Sequence, residues 1–351
     1  MARCTPHGYG LPGQLEGYRP LREQVAVNLG LAGIPVPVEN LLTTFGVTHG
    51  IELVCRALLS PGDTVAVEEP GYFAMLAQLQ ACGLKLVPVP RTPTGPDVAA
   101  LEAVCASFRP KAFFTQTLLQ NPTNSSMDAA TVFAVLLLAQ RHDMLVVEDD
   151  IYGDLHPGGN PLRLAQADRL QRVIYLGGFS KVLSPNIRVG FVAAAPHFIR
   201  LFSEHKLLSV LTTSELDERL VHAVLSSGGY RKHVERVRQR LAGHRGAVVR
   251  GLRTAGLEPQ ENGTGGLFVW ARLPEGVDPE LLARDAEENG ILLAPGTLFV
   301  LRQSDHPWLR FNVATADNAR LFDYLGSRIA ALRAGAVNTG TGARPVRDRS
   351  P

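Results

Sequence analysis

The chain has 351 residues, of which 45% are hydrophobic and 19% are charged, and its formal net charge at pH 7 is +2. This composition supports a large core in one or two domains, and the near-neutral charge gives no strong field that would favour nucleic acid or a membrane surface. No apolar stretch reaches the ~18 residues of a membrane span. The four cysteines, Cys4, Cys55, Cys82 and Cys105, form no C-x-x-C pair. We interpret them as reduced thiols of a cytoplasmic protein.

Predicted helices and short apolar strands alternate along the first part of the chain, up to about residue 200. The predicted helices cover 21–33, 46–59, 74–83 and 127–142, and the predicted strands cover 64–69, 84–90, 111–118, 144–150, 172–178 and 189–195. Such alternation is typical of an α/β fold with a mostly parallel central sheet and helices on both faces.

The pattern changes after about residue 200. A long charged helix is predicted over 228–252, followed by strand-like segments at 266–273 and 308–314, which indicate a smaller C-terminal α+β domain. We therefore expect a large domain over 1–200 and a small domain over 201–334. Residues 335–351 have almost no large apolar side chains and are predicted to be a disordered tail.

Polar side chains follow three of the predicted strands. Asn121 lies in the segment Q-N-P-T-N, Asp149 and Tyr152 lie in E-D-D-I-Y, and Ser180 and Lys181 follow L-G-G-F. Because ligands of open α/β sheets bind at the carboxyl ends of the strands, we expect these side chains to gather along one edge.

The segment LGGFSKVLSPNIRVG, residues 176–190, poses the main question, since Lys181 follows an apolar run and two glycines. It matches neither the phosphate loop G-x-x-x-x-G-K-[ST] nor the dinucleotide fingerprint G-x-G-x-x-G. An isolated lysine at a strand end usually faces solvent. The neighbouring groups instead suit an aldehyde cofactor with an electron-withdrawing ring. The lysine would form a Schiff base, a carboxylate would keep the ring nitrogen protonated, and Ser180 with Arg188 would bind a phosphate.

Seven motifs lead to a family resemblance. In chain order they are GYRPLRE, TTFGVTHGIEL, VEEPGYF, QNPTN, EDDIY, FSKVLSPNIRVG and LRFNVA. With them the chain resembles the fold-type I aminotransferases (class I/II), which depend on pyridoxal 5'-phosphate (PLP). It is similar to 2-aminoadipate aminotransferases and to the aminotransferase-like domain of MocR-type transcription regulators. The resemblance implies PLP as cofactor, amino acid and 2-oxo acid substrates, and a homodimer with residues 1–20 as an arm at the interface.

The same resemblance implies a role for each residue around the cofactor ring. Lys181 would be the Schiff-base lysine and would carry the proton during transamination. Asp149 would pair with the pyridine nitrogen, Tyr152 and Asn121 would contact the ring 3-oxygen, and Tyr72 would stack on the ring. Asp149 is selected over its acidic neighbours by the D-x-x-Y spacing.

The phosphate end and the substrate end are assigned in the same way. Val47 and Thr48 would offer backbone N–H groups at a helix N-terminus. Ser180 and Arg188 would add side-chain bonds, and Tyr9 would reach the phosphate of the partner subunit. For the substrate, Arg310 would bind the α-carboxylate bidentately, with Asn121 beside it. The histidines show no metal spacing, so we expect no metal.

Several positions depart from the family pattern. Gly178 stands where a phosphate-binding Ser or Thr is usual, so one bond to the phosphate would be missing. Asn124 replaces the glycine of N-P-T-G, and asparagine is the residue that best tolerates the left-handed conformation after glycine. Only eight residues precede Tyr9, where family members normally have several dozen, so a truncated or divergent arm is considered.

Three functions stay open at this point. The first is a PLP-dependent aminotransferase. The second is a PLP-binding effector domain of a MocR-type regulator with little or no turnover, although no helix-turn-helix segment is seen in the chain. The third is another PLP reaction, such as a lyase, because the same cofactor residues serve all of these and the bond that breaks depends on how the substrate is oriented.

Overall fold

The computed structural model describes residues 15–339 with the exception of 159, 264 and 302–305. The α-helices in this part of the chain are α1 (Arg19–Leu31), α2 (Gly46–Leu58), α3 (Phe73–Ala81), α4 (Val98–Phe108), α5 (Ala129–Arg141), α6 (Leu164–Asp168), α7 (Pro196–Val210), α8 (Glu215–Ser226), α9 (Gly229–Thr254), α10 (Pro279–Glu288), α11 (Val313–Ala316) and α12 (Ala319–Thr339). Of the helices described, none is long and apolar enough to cross a membrane.

The strands form two sheets. They are β1 (Leu41–Thr44), β2 (Thr64–Glu69), β3 (Lys85–Thr92), β4 (Gly95–Pro96), β5 (Ala112–Thr115), β6 (Leu145–Asp149), β7 (Val173–Gly178), β8 (Gly190–Ala193), β9 (Glu258–Pro259), β10 (Phe268–Arg272), β11 (Ala294–Pro295) and β12 (Trp308–Asn312). The larger sheet has the order β1-β8-β7-β6-β5-β2-β3-β4, and the smaller has the order β11-β12-β10-β9.

The larger sheet is parallel from β7 through β6, β5 and β2 to β3, whereas β1, β8 and β4 pair antiparallel with their neighbours. Helices cover both faces. Alternate residues of a strand point to opposite faces, and in β5 Phe113 packs in the cluster that includes α1, α4 and α5. Phe114 packs in the other cluster, with α2, α3 and α7. The α/β fold with a mostly parallel sheet expected from the sequence is confirmed.

Two details differ from the predicted elements. The strand predicted over 111–118 ends at Thr115, so Asn121 is reached through an irregular turn instead of lying at the strand end. The last helix, α12, continues to Thr339, into the segment predicted as a tail, and the rest of that segment lies outside the described residues. The division into domains at residues 200 and 334 stays a prediction.

A core substitution tests the packing of the larger sheet. Phe114 is fully buried, so Phe114→Ala should lower the free energy of unfolding by about 3–5 kcal/mol, because it removes apolar contacts and leaves a cavity. The matched control is Phe133→Ala on α5, where the side chain is 58% exposed, and about 0.5 kcal/mol or less is expected there. Urea denaturation followed by circular dichroism measures both. Equal losses in the two variants would contradict the assigned burial.

Candidate active site

A cavity of about 200 Å³ lies at the carboxyl ends of β6 and β7. It is lined by Val47, Thr48, Ile51, Tyr72, Ala74, Met75, Gln78, Asp149, Ile151, Tyr152, Ser180, Lys181 and Arg188. Most of the residues that the sequence singled out for the cofactor therefore meet at one place, from five separate segments of the chain.

Lys181 lies three residues beyond the end of β7, with its Nζ 5.9 Å from the centroid of the Tyr152 ring. Burial lowers the pKa of this amine, while the neighbouring Asp149 carboxylate opposes that change. The loop that carries it is tied to α9, because His233 Nε2 lies 2.7 Å from the carbonyl oxygen of Val182. The lysine is thus held at the cavity in a setting that favours its uncharged form.

Asp149, the last residue of β6, is buried beside the cavity. One carboxylate oxygen accepts a hydrogen bond from the backbone N–H of Ile151 (3.1 Å), and the other accepts from Gln116 Nε2 (2.9 Å). Burial raises the pKa of Asp149 to about 7, and these two hydrogen bonds oppose the rise because they stabilise the ionised form. A positively charged partner at the cavity would complete the compensation of this carboxylate.

The acidic neighbours of Asp149 are engaged elsewhere. Asp150 accepts hydrogen bonds from Arg163 Nε and from the Tyr175 hydroxyl, both at 2.6 Å. Glu148 accepts from the backbone N–H of Ala165 at 2.8 Å. Neither residue lines the cavity of the site. The strand pleat therefore selects the same carboxylate that the D-x-x-Y spacing selected.

The two tyrosines of the predicted site line the cavity from different elements. Tyr72 lies directly before α3, and Tyr152 follows β6, where its ring packs edge-to-face against Phe268 with centroids 5.3 Å apart. Burial raises the pKa of both phenols, and the charge of Asp149 adds to the rise. Both hydroxyls therefore stay protonated and can donate hydrogen bonds.

One end of the cavity is built to receive an anion. The helix α2 begins at Gly46 (φ +72°) and has no side-chain cap, so the N–H groups of its first turn are available. Arg188 donates from Nη1 to Ser180 Oγ (3.2 Å) and from Nη2 to the Phe45 carbonyl (3.3 Å). A Cβ at position 46 would lie 2.8 Å from Arg188 Nη2, so glycine makes room for the guanidinium.

Asn121 and Arg310 form the other end, next to the cavity. Arg310 Nη1 donates to Asn121 Oδ1 at 2.8 Å, and the guanidinium carbon lies 4.6 Å and 5.0 Å from the ring centroids of Phe268 and Phe299. Asn121 Nδ2 and Arg310 Nε are both buried, and neither finds a hydrogen-bond partner among the described residues. Buried donors call for acceptors, so this end fits a ring oxygen and a carboxylate.

Gly178 and Tyr9 are the two other positions that the sequence analysis connected with the phosphate. Gly178 pairs with Gly190 between β7 and β8 and is not among the described residues that line the cavity. A Cβ at Gly178 would lie 3.1 Å from Ile151 Cδ1 and 3.3 Å from the Gly190 Cα. Tyr9 lies outside the described residues, so its predicted contact with a partner subunit has no structural counterpart here.

Gln116 is a site residue that the sequence reasoning missed. Its Nε2 donates to Asp149, and its Oε1 accepts from the backbone N–H of Asn121 at 2.8 Å, so one buried amide joins two of the predicted residues. The predicted strand ran through this position, and a glutamine inside a strand carries no motif. The two hydrogen bonds of this buried amide are visible only in the folded chain.

Comparison with known proteins identifies the family. The profile of the family described as aminotransferase class I and II matches residues 7–327. Aromatic-amino-acid aminotransferase 1 of Thermococcus litoralis is 31% identical over 313 residues, which cover 86% of this chain and 74% of that one. YjiR, an uncharacterised HTH-type transcriptional regulator of Escherichia coli, is 32% identical over 318 residues, which cover 88% of this chain and 66% of that one.

A solved structure agrees with the sequence comparison. The α-aminoadipate aminotransferase LysN of Thermus thermophilus, in complex with N-(5'-phosphopyridoxyl)-L-leucine, superposes with a TM-score of 0.84 at 32% identity and covers 91% of this chain and 83% of that one. The chain therefore belongs to the class I and II aminotransferases. The family, the aminotransferase function and the PLP cofactor expected from the sequence are confirmed, as are amino acid and 2-oxo acid substrates.

The raised pKa of Asp149 predicts a pH dependence of the cofactor-free protein. The folded chain holds this proton up to about pH 7, whereas the unfolded value is 3.8, so ionisation of Asp149 lowers the free energy of unfolding as the pH rises through this range. Asp149→Asn removes that loss. Relative to the wild type, the variant should gain on the order of 2–4 kcal/mol between about pH 5 and about pH 8.

Urea denaturation of both apoproteins across this range measures the difference. Asp128→Asn is the control, because the pKa of this carboxyl, which caps α5, is lowered instead of raised. Its effect on stability should be constant above about pH 5. A difference between Asp149→Asn and wild type that does not change with pH would show that Asp149 is already ionised at low pH.

Proposed function

We propose that this aminotransferase holds PLP in the cavity at the ends of β6 and β7, with Lys181 as the residue that binds it covalently. The observation that supports this proposal is the convergence of an amine, a buried carboxylate and an anion-binding helix start on one cavity of about 200 Å³. The reaction is the transfer of an amino group from an L-amino acid to a 2-oxo acid.

Four residues hold the cofactor ring in this proposal. When bound, PLP withdraws electrons from the α-carbon of the substrate. Asp149 would keep the ring nitrogen protonated and would itself stay ionised in spite of its burial. Asn121 Nδ2 and the Tyr152 hydroxyl would donate to the ring 3-oxygen, which would give the unpaired Asn121 amide an acceptor. Tyr72 would stack on the ring from its place just before α3.

The phosphate group lies at the start of α2. The backbone N–H groups of Val47 and Thr48 in the first turn would donate to it, and the helix dipole would favour its negative charge. Ser180 and Arg188 would add side-chain bonds, and the hydrogen bond from Arg188 Nη1 to Ser180 Oγ at 3.2 Å holds the guanidinium in place. The contact of Tyr9 with the phosphate of the partner subunit stays a prediction.

The substrate carboxylate is bound by Arg310. Its Nε is buried without a partner among the described residues, and Phe268 and Phe299 on either side of the guanidinium keep it in place. Asn121 completes the carboxylate site. Lys181 Nζ would accept the proton from the substrate α-carbon, a role that needs an uncharged amine, and burial shifts the pKa of this lysine in that direction.

We also propose that the protein forms a homodimer through the face made by the end of α7 and the start of α8. This face carries exposed leucines: Leu207 (38%), Leu208 (82%), Leu211 (53%), Leu216 (78%) and Leu220 (51%). Contiguous exposed apolar side chains mark interaction surfaces. The face adjoins the phosphate end, because Ser209 Oγ lies 3.4 Å from His49 Nε2 in α2. A cytoplasmic location is consistent with the free thiols of Cys55, Cys82 and Cys105.

Replacing Lys181 tests the proposed chemistry. Lys181→Ala should lower kcat by at least about 10³-fold, because both the covalent attachment and the proton carrier are lost. Borohydride reduction of the PLP-loaded wild type, followed by peptide mass spectrometry, should place the pyridoxyl group on residue 181. The control is Lys85→Ala, which removes an exposed lysine of β3 and should leave both readouts unchanged.

Activity measurements with amino acids also distinguish an aminotransferase from the effector-domain and lyase alternatives. A screen of amino acids with several 2-oxo acid acceptors should show product formation for at least one pair. If Lys181 is labelled by PLP but no amino acid is converted, the effector-domain hypothesis replaces the enzymatic one. If a substrate loses its amino group without an acceptor, the reaction is a lyase reaction. Full activity of Lys181→Ala would refute the proposed site.

The proposed interface is tested with a charge on the leucine face. Leu208→Asp together with Leu216→Asp should weaken the dimer at least about 10²-fold, since two buried leucine contacts are replaced by desolvated carboxylates. Sedimentation velocity at several concentrations measures the change. Leu137→Asp on α5, a side chain that is 55% exposed on another face, is the control and should leave the mass unchanged. A wild type that is monomeric at all concentrations would refute the interface.

A further inference from the structure

The turn at residues 121–124 ends on a residue whose backbone favours glycine. Asn124 has φ +61° and is 2% exposed. An L-residue in the left-handed region costs roughly 1–2 kcal/mol, less for asparagine and nothing for glycine. The backbone alone therefore gives no reason for a side chain here, and the reason has to lie in what the side chain contacts.

The amide of Asn124 is fully used, and all of its side-chain partners belong to the segment that leads into β10. Nδ2 donates to the carbonyl oxygens of Asn262 (3.0 Å) and Gly265 (2.9 Å), and Oδ1 accepts from the backbone N–H of Phe268 at 3.4 Å. In return, Asn262 Nδ2 donates to the Thr123 carbonyl at 2.9 Å. These bonds join a turn of the larger sheet to the start of β10 in the smaller one.

The fit between the two segments is close. At Gly266 (φ +84°) a Cβ would lie 2.1 Å from Asn124 Oδ1, so the segment approaches the amide with no room for a side chain. A larger residue at 124 would push the segment away, and a glycine would leave the two carbonyl oxygens of Asn262 and Gly265 without this partner. The contact is specific for the size and the chemistry of asparagine.

The segment held by Asn124 carries the substrate end of the site. The Phe268 ring lies 4.6 Å from the guanidinium of Arg310, and β10 pairs with β12 so that Trp270 faces Arg310 across the ladder. The other end of the same turn binds Arg310 directly, through Asn121 Oδ1. Residues 121 and 124 thus hold the smaller sheet at two points, one at the arginine and one at the start of β10.

We propose that Asn124 is a positioning residue for substrate binding: it fixes β10, and with it Arg310, so that the α-carboxylate of the amino acid enters a site that is already assembled. This inference rests on the proposed role of Arg310. The residues proposed to hold PLP covalently and at its phosphate lie on the larger sheet and on α2, outside the segment that Asn124 holds. Loss of the Asn124 contacts should therefore weaken substrate binding and spare cofactor binding.

The test is Asn124→Gly, which satisfies the backbone and removes only the side chain. KM for the best amino acid donor should rise roughly tenfold, because the three side-chain hydrogen bonds that held the sheet are lost. We expect kcat to change by less than about threefold and the Kd of PLP, titrated into the apoprotein by fluorescence, by less than about twofold. In hydrogen exchange of the apoprotein, the amide of Phe268 should exchange at least about tenfold faster.

Two further variants sharpen the result. Asn124→Asp keeps the shape and Oδ1 but replaces both donors with an oxygen facing two carbonyls, so the same rise in KM is expected. Asn289→Gly is the matched control, since among the described residues the exposed Asn289 side chain bonds only the Asp285 carbonyl of α10. Both KM and exchange at Phe268 should stay at wild-type values.

Three outcomes decide the proposal. A rise in KM with unchanged PLP affinity and faster exchange at Phe268 supports it. Unchanged KM, or a parallel loss of PLP affinity, overturns it, because the residue then either does nothing for the substrate or stabilises the whole site. If the wild type converts no amino acid, the proposed function fails, and the exchange experiment alone decides: unchanged exchange at Phe268 in Asn124→Gly then overturns the role of Asn124 in holding the sheet.

Discussion

The burial of one carboxylate at the end of β6 is the constraint on which the site depends. Asp149 is taken out of water and is compensated by a backbone N–H and by the Gln116 amide, both neutral donors. Neutral donors offset only part of the cost of a buried charge. The described residues therefore leave the compensation of this carboxylate incomplete, and in the proposed site a cationic ring nitrogen would supply the rest. Compensation of this buried carboxylate would therefore contribute to the free energy of cofactor binding.

The pleat of the sheet allows three consecutive acidic residues to coexist in this place. Glu148 and Asp150 are compensated away from the cavity, by the start of α6 and by Arg163 respectively, while Asp149 alone lines the cavity. Alternation puts Glu148 and Asp150 on the same side of the strand, where burial and the charge of Asp150 raise the pKa of Glu148 to about 7. It thus separates these two acidic groups from the carboxylate at the cavity by a single peptide unit.

Much of the site was predictable from the sequence, because its residues sit in motifs at the ends of recognisable strands. Lys181, Asp149 and Tyr72 needed only the strand boundaries and the resemblance to be placed. Gln116 and the contacts of Asn124 were not predictable, for a common reason. Both act through buried hydrogen bonds: Gln116 joins the Asp149 carboxylate to the Asn121 backbone, and the backbone partners of Asn124 lie some 140 residues away in the chain. Such pairings have no periodicity, so only the folded arrangement shows them.

The close approach of α2 to β8 limits which substitutions the phosphate end of the site can accept. A Cβ at Gly190 would lie 2.7 Å from the Gly46 Cα, so backbone meets backbone beneath the phosphate end, and no side chain can be inserted there without moving a helix. The proposed substrate end is instead made of side chains, Phe268, Phe299 and Arg310, which contact one another through the guanidinium. Substitutions can therefore change the contacts at that end one side chain at a time, whereas the proposed phosphate end is fixed by the approach of two backbones.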